Sequence, residues 1–445
     1  MTPHLLALAL AAAPTQQVDT LQLAALQEAA VRRDPRGEQF ALQRQASALR
    51  LRSIDSELYP SLRSAAEVTR QSEKVTIPVQ LPGGQSIPTP SRTRYRMTVD
   101  AEERFYDPGR ALRRDVERAR LAESEASVRA ELFGLRDEVN GAFFAALLAQ
   151  QRGREAALLE SDLEARLAEM RARVRAGTAL EGDAAAIEAQ LLGARQEQGA
   201  ALADRRAALA VLRDLTGADV GEGDVLAVPA LAAEVERVRA AGAQGAAVRA
   251  RPEYQRLGAT RERLGREAAA AQSSLLPHAS ATGQLGWGRS VRAAFDDDPK
   301  IFGQLGVRVE WAPWDWGRTR RQQQEIALQQ QVVTTQEADL TRRLQRQVED
   351  DLQEIDRLSA ALADDERVVA LRETIEREAR AQLREGVLGA ADYADRRSDV
   401  TQARVRRAQH AVQLAQARAR YLTTLGVPLP GGAASEFTIT NGGGR

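Results

Sequence analysis

Two acidic residues, Asp392 and Asp395, lie three positions apart in a stretch whose composition favours a helix. Side chains at that spacing share one face of a helix, so the two carboxylates are expected to project in the same direction. Lining a narrow space, such a pair attracts cations and repels anions. The alternative is that both are ordinary solvated charges, partnered by the adjacent Arg396 and Arg397.

Side chains that perform covalent or metal chemistry form no recognisable motif in this chain. The three histidines, His4, His278 and His410, are scattered, and the absence of cysteine excludes disulfides and thiolate metal sites. No Gly-rich phosphate loop, His-Glu-x-x-His pair or nucleophile elbow occurs. The sequence therefore predicts neither an enzyme nor a metal or cofactor site.

The composition argues against a nucleic-acid binder and against a helical membrane anchor. Basic and acidic residues balance at 62 each, whereas phosphate contacts need a basic excess. Aromatic residues make up only 4% of the chain, which is low for a protein with one compact core. No uninterrupted apolar run reaches about 18 residues, so a membrane-spanning part would have to be a closed barrel of strands.

The first residues have the pattern of a secretory signal peptide. An apolar run from Leu5 to Ala13 is followed by polar residues. This pattern predicts a signal peptide over residues 1–16, although no Lys or Arg precedes the run and Pro14 follows it. The alternative is a slightly apolar, disordered start.

The elements that carry the acidic pair are very long helices. No proline occurs between Pro108 and Pro229 or between Pro313 and Pro428, and apolar residues recur there at steps of three and four. That pattern predicts coiled-coil-like helices over 109–175 and 178–216, and over 317–384 and 387–425. A helix from 109 to 175 would extend about 100 Å, too long to lie inside one globule. Gly177 and Gly386 mark the reversals within each pair.

The whole pattern occurs twice along the chain. Five matches follow in the same order at offsets of 217, 208 and 209 residues; they are Asp34-Pro35 with Arg251-Pro252, Tyr59-Pro60 with Leu276-Pro277, Tyr106-Asp107-Pro108-Gly109-Arg110 with Trp314-Asp315-Trp316-Gly317-Arg318, Arg175-Ala176-Gly177 with Arg384-Glu385-Gly386, and Gly217 with Gly426. Chance does not supply five ordered matches, so the sequence predicts an internal duplication. Each copy also has a shorter helix between its prolines, over 36–58 and 253–275.

Each copy contains a predicted β-hairpin before its first long helix, over 61–106 and 278–314. Apolar and polar residues alternate in these segments, as in strands with one lipid-facing and one polar face. All four tryptophans, Trp287, Trp311, Trp314 and Trp316, lie in or beside the second hairpin, as expected for residues at a membrane interface. The alternative is a soluble hairpin packed on the helix ends. Four strands are too few to close a membrane barrel, so the barrel interpretation requires several copies.

In these features the chain resembles the TolC-like outer-membrane efflux protein family over nearly its whole length. The resemblance implies an α+β membrane channel. Three copies would join four strands each into one twelve-stranded outer-membrane barrel, and their helices would form a periplasmic α-barrel. The first repeat would cover 17–217, an equatorial connector 218–250, the second repeat 251–426 and a tail 427–445. The implied function is that of an exit duct for a tripartite efflux or type I secretion system. Its partners would be a periplasmic adaptor, an inner-membrane pump and outer-membrane lipid.

The resemblance also suggests roles for individual residues. In the family, aspartates just beyond the second reversal ring the closed aperture, and Asp392 and Asp395 match that spacing; Asp183 is the one first-half candidate. The positions of the family's latching tyrosine and arginine hold Leu383 and Leu388, so the aperture must be held differently or is easier to open.

The two reversals look like the family's docking sites for a periplasmic adaptor. The residues concerned are Arg175, Gly177, Thr178, Arg384, Gly386 and Val387. A simpler interpretation is that the two glycines only cap helices. The sequence does not identify the cargo, which could be drugs, metals or a secreted protein. A non-pore periplasmic coiled-coil scaffold is the rival hypothesis, but it leaves the duplicated hairpins and clustered tryptophans unexplained.

Overall fold

The computed structural model describes residues 20–72, 92–242, 244–288, 299–385 and 387–430. The predicted signal peptide, Gly386 and most of the predicted tail lie outside these residues. The secondary structure elements run in the order β1 (Thr20–Leu21), α1 (Leu23–Arg33), α2 (Gln39–Ser56), β2 (Ser61–Arg70), β3 (Thr93–Tyr106), α3 (Gly109–Arg175), α4 (Glu181–Thr216), β4 (Val225–Leu226), α5 (Ala232–Ala240), α6 (Gln244–Arg249), α7 (Pro252–Gln272), β5 (His278–Gly288), β6 (Lys300–Glu310), α8 (Arg318–Arg384) and α9 (Ala390–Leu425). Two 3₁₀ turns, Pro35–Glu38 and Ser273–Leu275, adjoin α2 and α7.

The α+β fold class with very long helices is confirmed, and several element boundaries differ from the expectations for local reasons. The helix expected over 36–58 begins at Gln39, because the Asp34 carboxylate accepts the Arg36 backbone N–H at 2.8 Å and holds a tight turn there. The helices expected from 178 and 387 begin at Glu181 and Ala390. The strand expected to reach 314 ends at Glu310, three residues before Pro313, which cannot donate a strand hydrogen bond.

The chain divides into two compact units, each built from segments of both repeats. The strand unit comprises residues 38–127 and 255–338. The core unit comprises 128–254 and 339–430, together with the chain before 38. α3 and α8 therefore contribute residues to both units.

The strand unit contains one antiparallel sheet in the order β2-β3-β5-β6. Its register aligns apolar side chains across all four strands: Ala66 lies opposite Met97, Met97 opposite Trp287, and Trp287 opposite Ile301. The same face carries Leu62, Val68, Val99, Leu285, Leu305, Val307 and Val309, all exposed. The opposite face is polar, and one apolar and one polar face is the pattern of membrane-barrel strands.

The polar face is stabilised by hydrogen bonds between its own side chains. Arg96 donates to Glu67 at 2.6 Å, and Gln284 donates to Asp100 at 2.6 Å. The Phe302 ring lies on this face beside Gly286, where a Cβ would come within 2.2 Å of the ring. A larger residue at position 286 would displace the ring.

Four helices of the strand unit lie side by side. Their order matches the order of the strands to which each is joined in the chain. Arg50 of α2 pairs with Glu117 of α3 at 2.5 Å. Arg263 of α7 pairs with Glu123 of α3 at 2.5 Å, and Arg261 of α7 with Glu337 of α8 at 2.6 Å. The order is therefore α2-α3-α7-α8, with α2 and α8 at the two ends.

The core unit holds the main hydrophobic cluster and the parallel β1–β4 pair. Phe143 and Phe144 of α3 pack there with Tyr421 of α9, all fully buried. A buried polar chain links three helices, since Gln27 donates to Asn140 at 2.7 Å and Asn140 donates to Thr423 at 3.0 Å. Buried groups of this kind need partners, so they fix the relative positions of α1, α3 and α9.

The long second helices of both copies end at glycines with left-handed backbones, Gly217 (φ 65°) and Gly426 (φ 79°). We expect Gly426→Ala to lower the free energy of unfolding by about 1–2 kcal/mol, because an L-residue is strained at that φ. The new Cβ would also lie 3.2 Å from Arg251 Cγ.

Thermal unfolding checks this prediction. Gly258→Ala in α7 is the matched control, since no atom lies within 4 Å of its Cβ position and the helix favours alanine. The interpretation of Gly426 is wrong if both variants melt at or above the wild-type temperature.

Candidate functional site

The first reversal, between α3 and α4, is a glycine-capped helix end. Gly177 has φ 71°, and the Thr178 backbone N–H donates to Arg173 O at 2.9 Å across it. This left-handed cap satisfies carbonyls that the end of α3 leaves open. Thr178 adds a side-chain bond to the same carbonyl at 3.1 Å.

Asp183 has a local partner at the start of α4. Its carboxylate accepts the Leu180 backbone N–H at 3.2 Å, as a residue in the first helical turn does in a capping box. Asp183 is nonetheless exposed, so it can carry negative charge at the surface of this reversal. The sequence suggested an aperture role for Asp183 but gave no sign of this capping bond.

The second reversal, between α8 and α9, repeats the backbone hydrogen-bond pattern of the first over the described residues. The Val387 and Leu388 N–H groups both donate to Gln382 O, at 2.9 and 3.3 Å. Val387 is exposed, as is Leu180 at the first reversal. The predicted cap residue Gly386 lies outside the described residues, so its role stays a prediction.

Asp392 and Asp395 are both exposed in the first turns of α9. No hydrogen bond or ion pair to either side chain occurs among the described residues, and the neighbouring Arg397 does not partner them. Instead, Arg397 Nη2 lies 2.7 Å from Asp162 Oδ1 on α3. The other oxygen of Asp162 pairs with Arg166 at 2.7 Å. One of the two arginines suggested as partners, Arg397, is therefore engaged between α9 and α3.

A second polar cluster lies within the α8–α9 hairpin. The Tyr393 hydroxyl and Arg380 both donate to the same Glu376 oxygen at 2.7 Å. Burial raises the pKa of Glu376, but the hydrogen bonds from Tyr393 and Arg380 outweigh it and leave the pKa below its usual value. Glu376 therefore stays charged at neutral pH and holds the two helices together near their reversal.

Farther from the reversals, α8 and α9 are joined by acidic residues of α8. Asp365 pairs with His410 at 2.5 Å, and Glu373 with Arg404 at 2.6 Å. Asp351, only 1% exposed, accepts from Thr424 at 2.8 Å and from Arg420. Burial raises the pKa of Asp351 despite these hydrogen bonds. The seam predicted from apolar spacing thus also contains specific ion pairs.

α3 carries a half-buried carboxylate without a complete set of partners. Burial raises the pKa of Glu155 to about 6, and its Oε2 atom is enclosed with no hydrogen-bond partner. The folded protein therefore binds this proton more tightly than the unfolded chain does. Stability from this group is present below about pH 4.5 and is lost as the pH rises through about 6.

We expect Glu155→Gln to raise the free energy of unfolding by about 1 kcal/mol at pH 8 and to leave it unchanged at pH 4.5. The effect at pH 8 is this small because Glu155 is only half-buried and water screens its charge. Thermal unfolding at both pH values measures the difference. Glu197→Gln is the control, because Glu197 is exposed. An equal effect of Glu155→Gln at both pH values contradicts the prediction.

The tryptophans lie at opposite ends of the sheet. Trp287 is near the loop end of β5, with its ring centroid 5.6 Å from that of Tyr95. Trp311, Trp314 and Trp316 follow β6 and are exposed, and the rings of the last two meet edge to face at 5.9 Å. The sequence grouped these four residues together but did not separate them into two levels.

None of the helices in the described part of the chain is both long and apolar enough to cross a lipid bilayer. Within the same ranges, no three His, Cys, Asp or Glu side chains come together in a way that could hold a metal ion.

Comparisons with known proteins give matches at the level of structure. No protein-family model and no curated protein sequence matches the chain. The CusC structure matches with TM-score 0.67 and 14% identity, over 94% of this chain and 95% of that one. The CmeC outer-membrane channel of Campylobacter jejuni matches with TM-score 0.64 and 12% identity, over 96% and 94%. The open MtrE outer-membrane channel of Neisseria gonorrhoeae matches with TM-score 0.64 and 18% identity, over 92% and 89%. The family resemblance predicted from the sequence is therefore confirmed at the level of the fold, and this chain has the fold of the TolC-like outer-membrane channels.

Proposed function

We propose that three copies of this chain form an outer-membrane channel that conducts cargo passively from the periplasmic side to the exterior. The observation that carries this proposal is the sheet, whose four strands share one apolar and one polar face. A soluble sheet buries its apolar face, whereas here most of the large residues on it are exposed. A barrel surrounded by lipid would cover that face and enclose the polar one.

The sheet edges support closure by identical copies. β2 and β6 are the end strands, and three antiparallel steps make them run in opposite directions. β6 of one copy placed beside β2 of the next would continue the antiparallel pattern and keep both faces aligned. Three copies give twelve strands, which exceeds the minimum of about eight for a membrane barrel.

The helices of the strand unit point to the same edges. In the described part of this unit, the exposed large apolar residues of the helices all lie on the end helices: Leu42 and Leu49 on α2, Leu328 and Val332 on α8. α3 and α7, which lie between them, expose none there. An apolar stripe on each end helix is what a neighbouring copy would bury.

The core unit has a comparable distribution. On the side of the two reversals, Arg195 of α4 pairs with Glu160 of α3, and Arg397 of α9 pairs with Asp162 of α3. α8 joins the series through α9. Exposed apolar residues cluster on the end helices; they are Leu192, Leu202 and Val211 on α4, and Val368, Leu371 and Ile375 on α8. Leu158 on α3 is exposed as well.

In this proposal the channel is the exit duct of a tripartite efflux or type I secretion system. The exposed reversals, including Arg175, Thr178, Arg384 and Val387, would dock a periplasmic adaptor, which connects the duct to an inner-membrane pump. Asp392, Asp395 and Asp183 would form the acidic aperture. Support comes from their exposure near the two reversals and from the lack of hydrogen bonds and ion pairs to Asp392 and Asp395 among the described residues.

The aperture would be held closed by the Arg397–Asp162 pair, since the expected latch positions hold Leu383 and Leu388. This pair links α9 to α3, whereas the Tyr393–Glu376–Arg380 cluster stays within one hairpin. Breaking the Arg397–Asp162 pair would free α9 from α3, while the Tyr393–Glu376–Arg380 cluster would keep α8 and α9 together.

Membrane fractionation and an unboiled gel test the proposal. The protein should be found in the outer membrane and migrate as a trimer until it is heated. Leu49→Glu on α2 should dissociate the trimer, while the control Arg44→Glu on the same helix should weaken it less. A soluble monomeric band would favour the non-pore scaffold and contradict the channel.

Cation preference tests the aperture assignment. In planar bilayers, Asp392→Ala combined with Asp395→Ala should reduce the preference for cations, because six carboxylates would leave the narrow ring. Asp399→Ala is the control, since Asp399 pairs with Arg372. Unchanged ion selectivity in the double variant would refute the assignment.

A further inference from the structure

Trp316 is the one non-glycine residue with a left-handed backbone among the described residues, with φ 55°. Bulky side chains avoid this region because the Cβ crowds the backbone. Its side chain is also 81% exposed and meets only the edge of the Trp314 ring among the described aromatic contacts, so burial does not compensate for the strain. Strain that persists at an exposed site suggests a role outside the folded chain itself.

The backbone around Trp316 is held by specific hydrogen bonds. The Asp315 carboxylate accepts the N–H groups of Gly317 at 2.9 Å and of Thr319 at 2.7 Å. Arg321 donates to the Trp316 carbonyl at 3.1 Å. Asp315 thus caps the N-terminus of α8. Trp316 lies between Asp315 and Gly317, which are hydrogen-bonded to each other.

The first copy solves the same junction differently. Asp107 caps α3 by accepting the Gly109 N–H at 2.9 Å, as Asp315 does for Gly317. Between them stands Pro108, whose ring fixes a negative φ. β3 runs to Tyr106 and α3 starts at Gly109, whereas β6 ends at Glu310 and α8 starts at Arg318. The second copy therefore has a longer connection, and this connection contains three tryptophans.

The position of this connection relative to the sheet indicates its surroundings. Trp311 continues the alternation of Val307 and Val309, which places it on the apolar face. Trp287 lies opposite Ile301, ten residues from Trp311 along β6. Ten residues span about 33 Å, and a strand tilt near 40° reduces this to about 25 Å, the height of the apolar band of a membrane barrel.

We propose that the segment 311–317 is a lipid-interface anchor at the helix-side edge of the membrane, and that the left-handed turn at Trp316 serves to place its indole among the lipid headgroups. This inference rests on the proposed membrane channel. Indoles favour that layer because the ring is apolar and its N–H still finds polar partners. The only charged side chain in the segment is Asp315, which is engaged in capping α8. Trp311 donates its indole N–H to Leu275 O at 3.1 Å, which fixes the start of the anchor.

Lipid-dependent fluorescence quenching tests the anchor. Three tryptophans are replaced by phenylalanine so that only Trp316 remains, and the full chain is reconstituted in phosphatidylcholine vesicles. Bromine atoms placed near the headgroup end of the acyl chains should quench Trp316 strongly, and bromine atoms at the chain ends should quench it weakly. A variant retaining only Trp287 is the control, since the proposal places it at the opposite interface.

Two results would overturn the inference. Quenching by aqueous iodide without quenching by brominated lipid would place Trp316 in water. Protection from both quenchers would mean that a second copy covers it. Channel conductance is recorded on the same preparation: conductance with either result refutes only the anchor, whereas its loss in the wild-type protein refutes the channel.

The strain has its own test. Trp316→Gly should melt at a higher temperature in detergent than Trp316→Ala, because glycine accepts φ 55° without cost. Both variants should lose the headgroup contact equally. Equal melting temperatures would remove the argument that the turn is strained for a purpose.

Discussion

Leu305→Arg is expected to lower the stability of the membrane-inserted protein by about 2–4 kcal/mol per subunit and to abolish trimer assembly. Leu305 lies in the middle of β6, opposite Gly283, and is 91% exposed on the apolar face. If that face contacts lipid, the guanidinium would be placed near the centre of the hydrocarbon layer. A barrel of three copies would contain the buried guanidinium at three positions, so the loss of stability would occur three times. Little heat-resistant trimer should therefore reach the outer membrane.

The adjacent residue supplies the control. Gln304 lies opposite Gln284 on the polar face, so Gln304→Arg would place the same charge towards the water-filled interior. Both variants are compared by outer-membrane fractionation and by the trimer band on unboiled gels. If Leu305→Arg assembles as well as Gln304→Arg does, the apolar face does not contact lipid.

The second large effect is expected at the reversals. Arg397→Ala should increase the conductance of the resting channel, because the ion pair to Asp162 would no longer hold α9 against α3. Asp162 is only 17% exposed, and partly exposed pairs contribute about 1 kcal/mol each. If the three subunits open together, losing all three pairs would favour the open state by about 3 kcal/mol. The ratio of open to closed channels would then be about 100-fold higher.

A double-mutant cycle separates this pair from general loosening. Arg397→Ala combined with Asp162→Asn should open the channel no further than Asp162→Asn does alone, because both remove one interaction. Arg404→Ala is the control, since Arg404 pairs with Glu373 inside the α8–α9 hairpin. An equal rise in conductance with Arg404→Ala would show that any weakened ion pair opens the channel, and Arg397 would not be the latch.

Elements with a regular local signal could be predicted from the sequence. Step-three and step-four spacing marked α3 and α8, and period-two alternation marked the strands whose register aligns Met97 with Trp287. The first residues of the helices were harder to predict. For example, α4 begins where Asp183 can cap it, but the sequence does not show which acidic residue in that stretch forms the cap. Boundaries depend on single hydrogen bonds, whereas periodicity averages over many residues.

Contacts between distant helices could not be predicted. Arg397 has several acidic neighbours in sequence, yet it pairs with Asp162 on another helix. Arginines and carboxylates are so frequent on these helices that spacing alone selects no partner. Tyr393 was likewise missed as a partner of Glu376, because only the pairing of α8 with α9 brings them together. The strained turn at Trp316 had one visible signal, a tryptophan standing where the first repeat has Pro108.

Single-channel recording from the purified, unheated protein in a planar bilayer shows whether three copies form a pore. We expect discrete, cation-preferring conductance steps that become larger or more frequent in Arg397→Ala. Protein that inserts into the bilayer but gives no steps, in the wild type and in Arg397→Ala alike, would contradict this expectation.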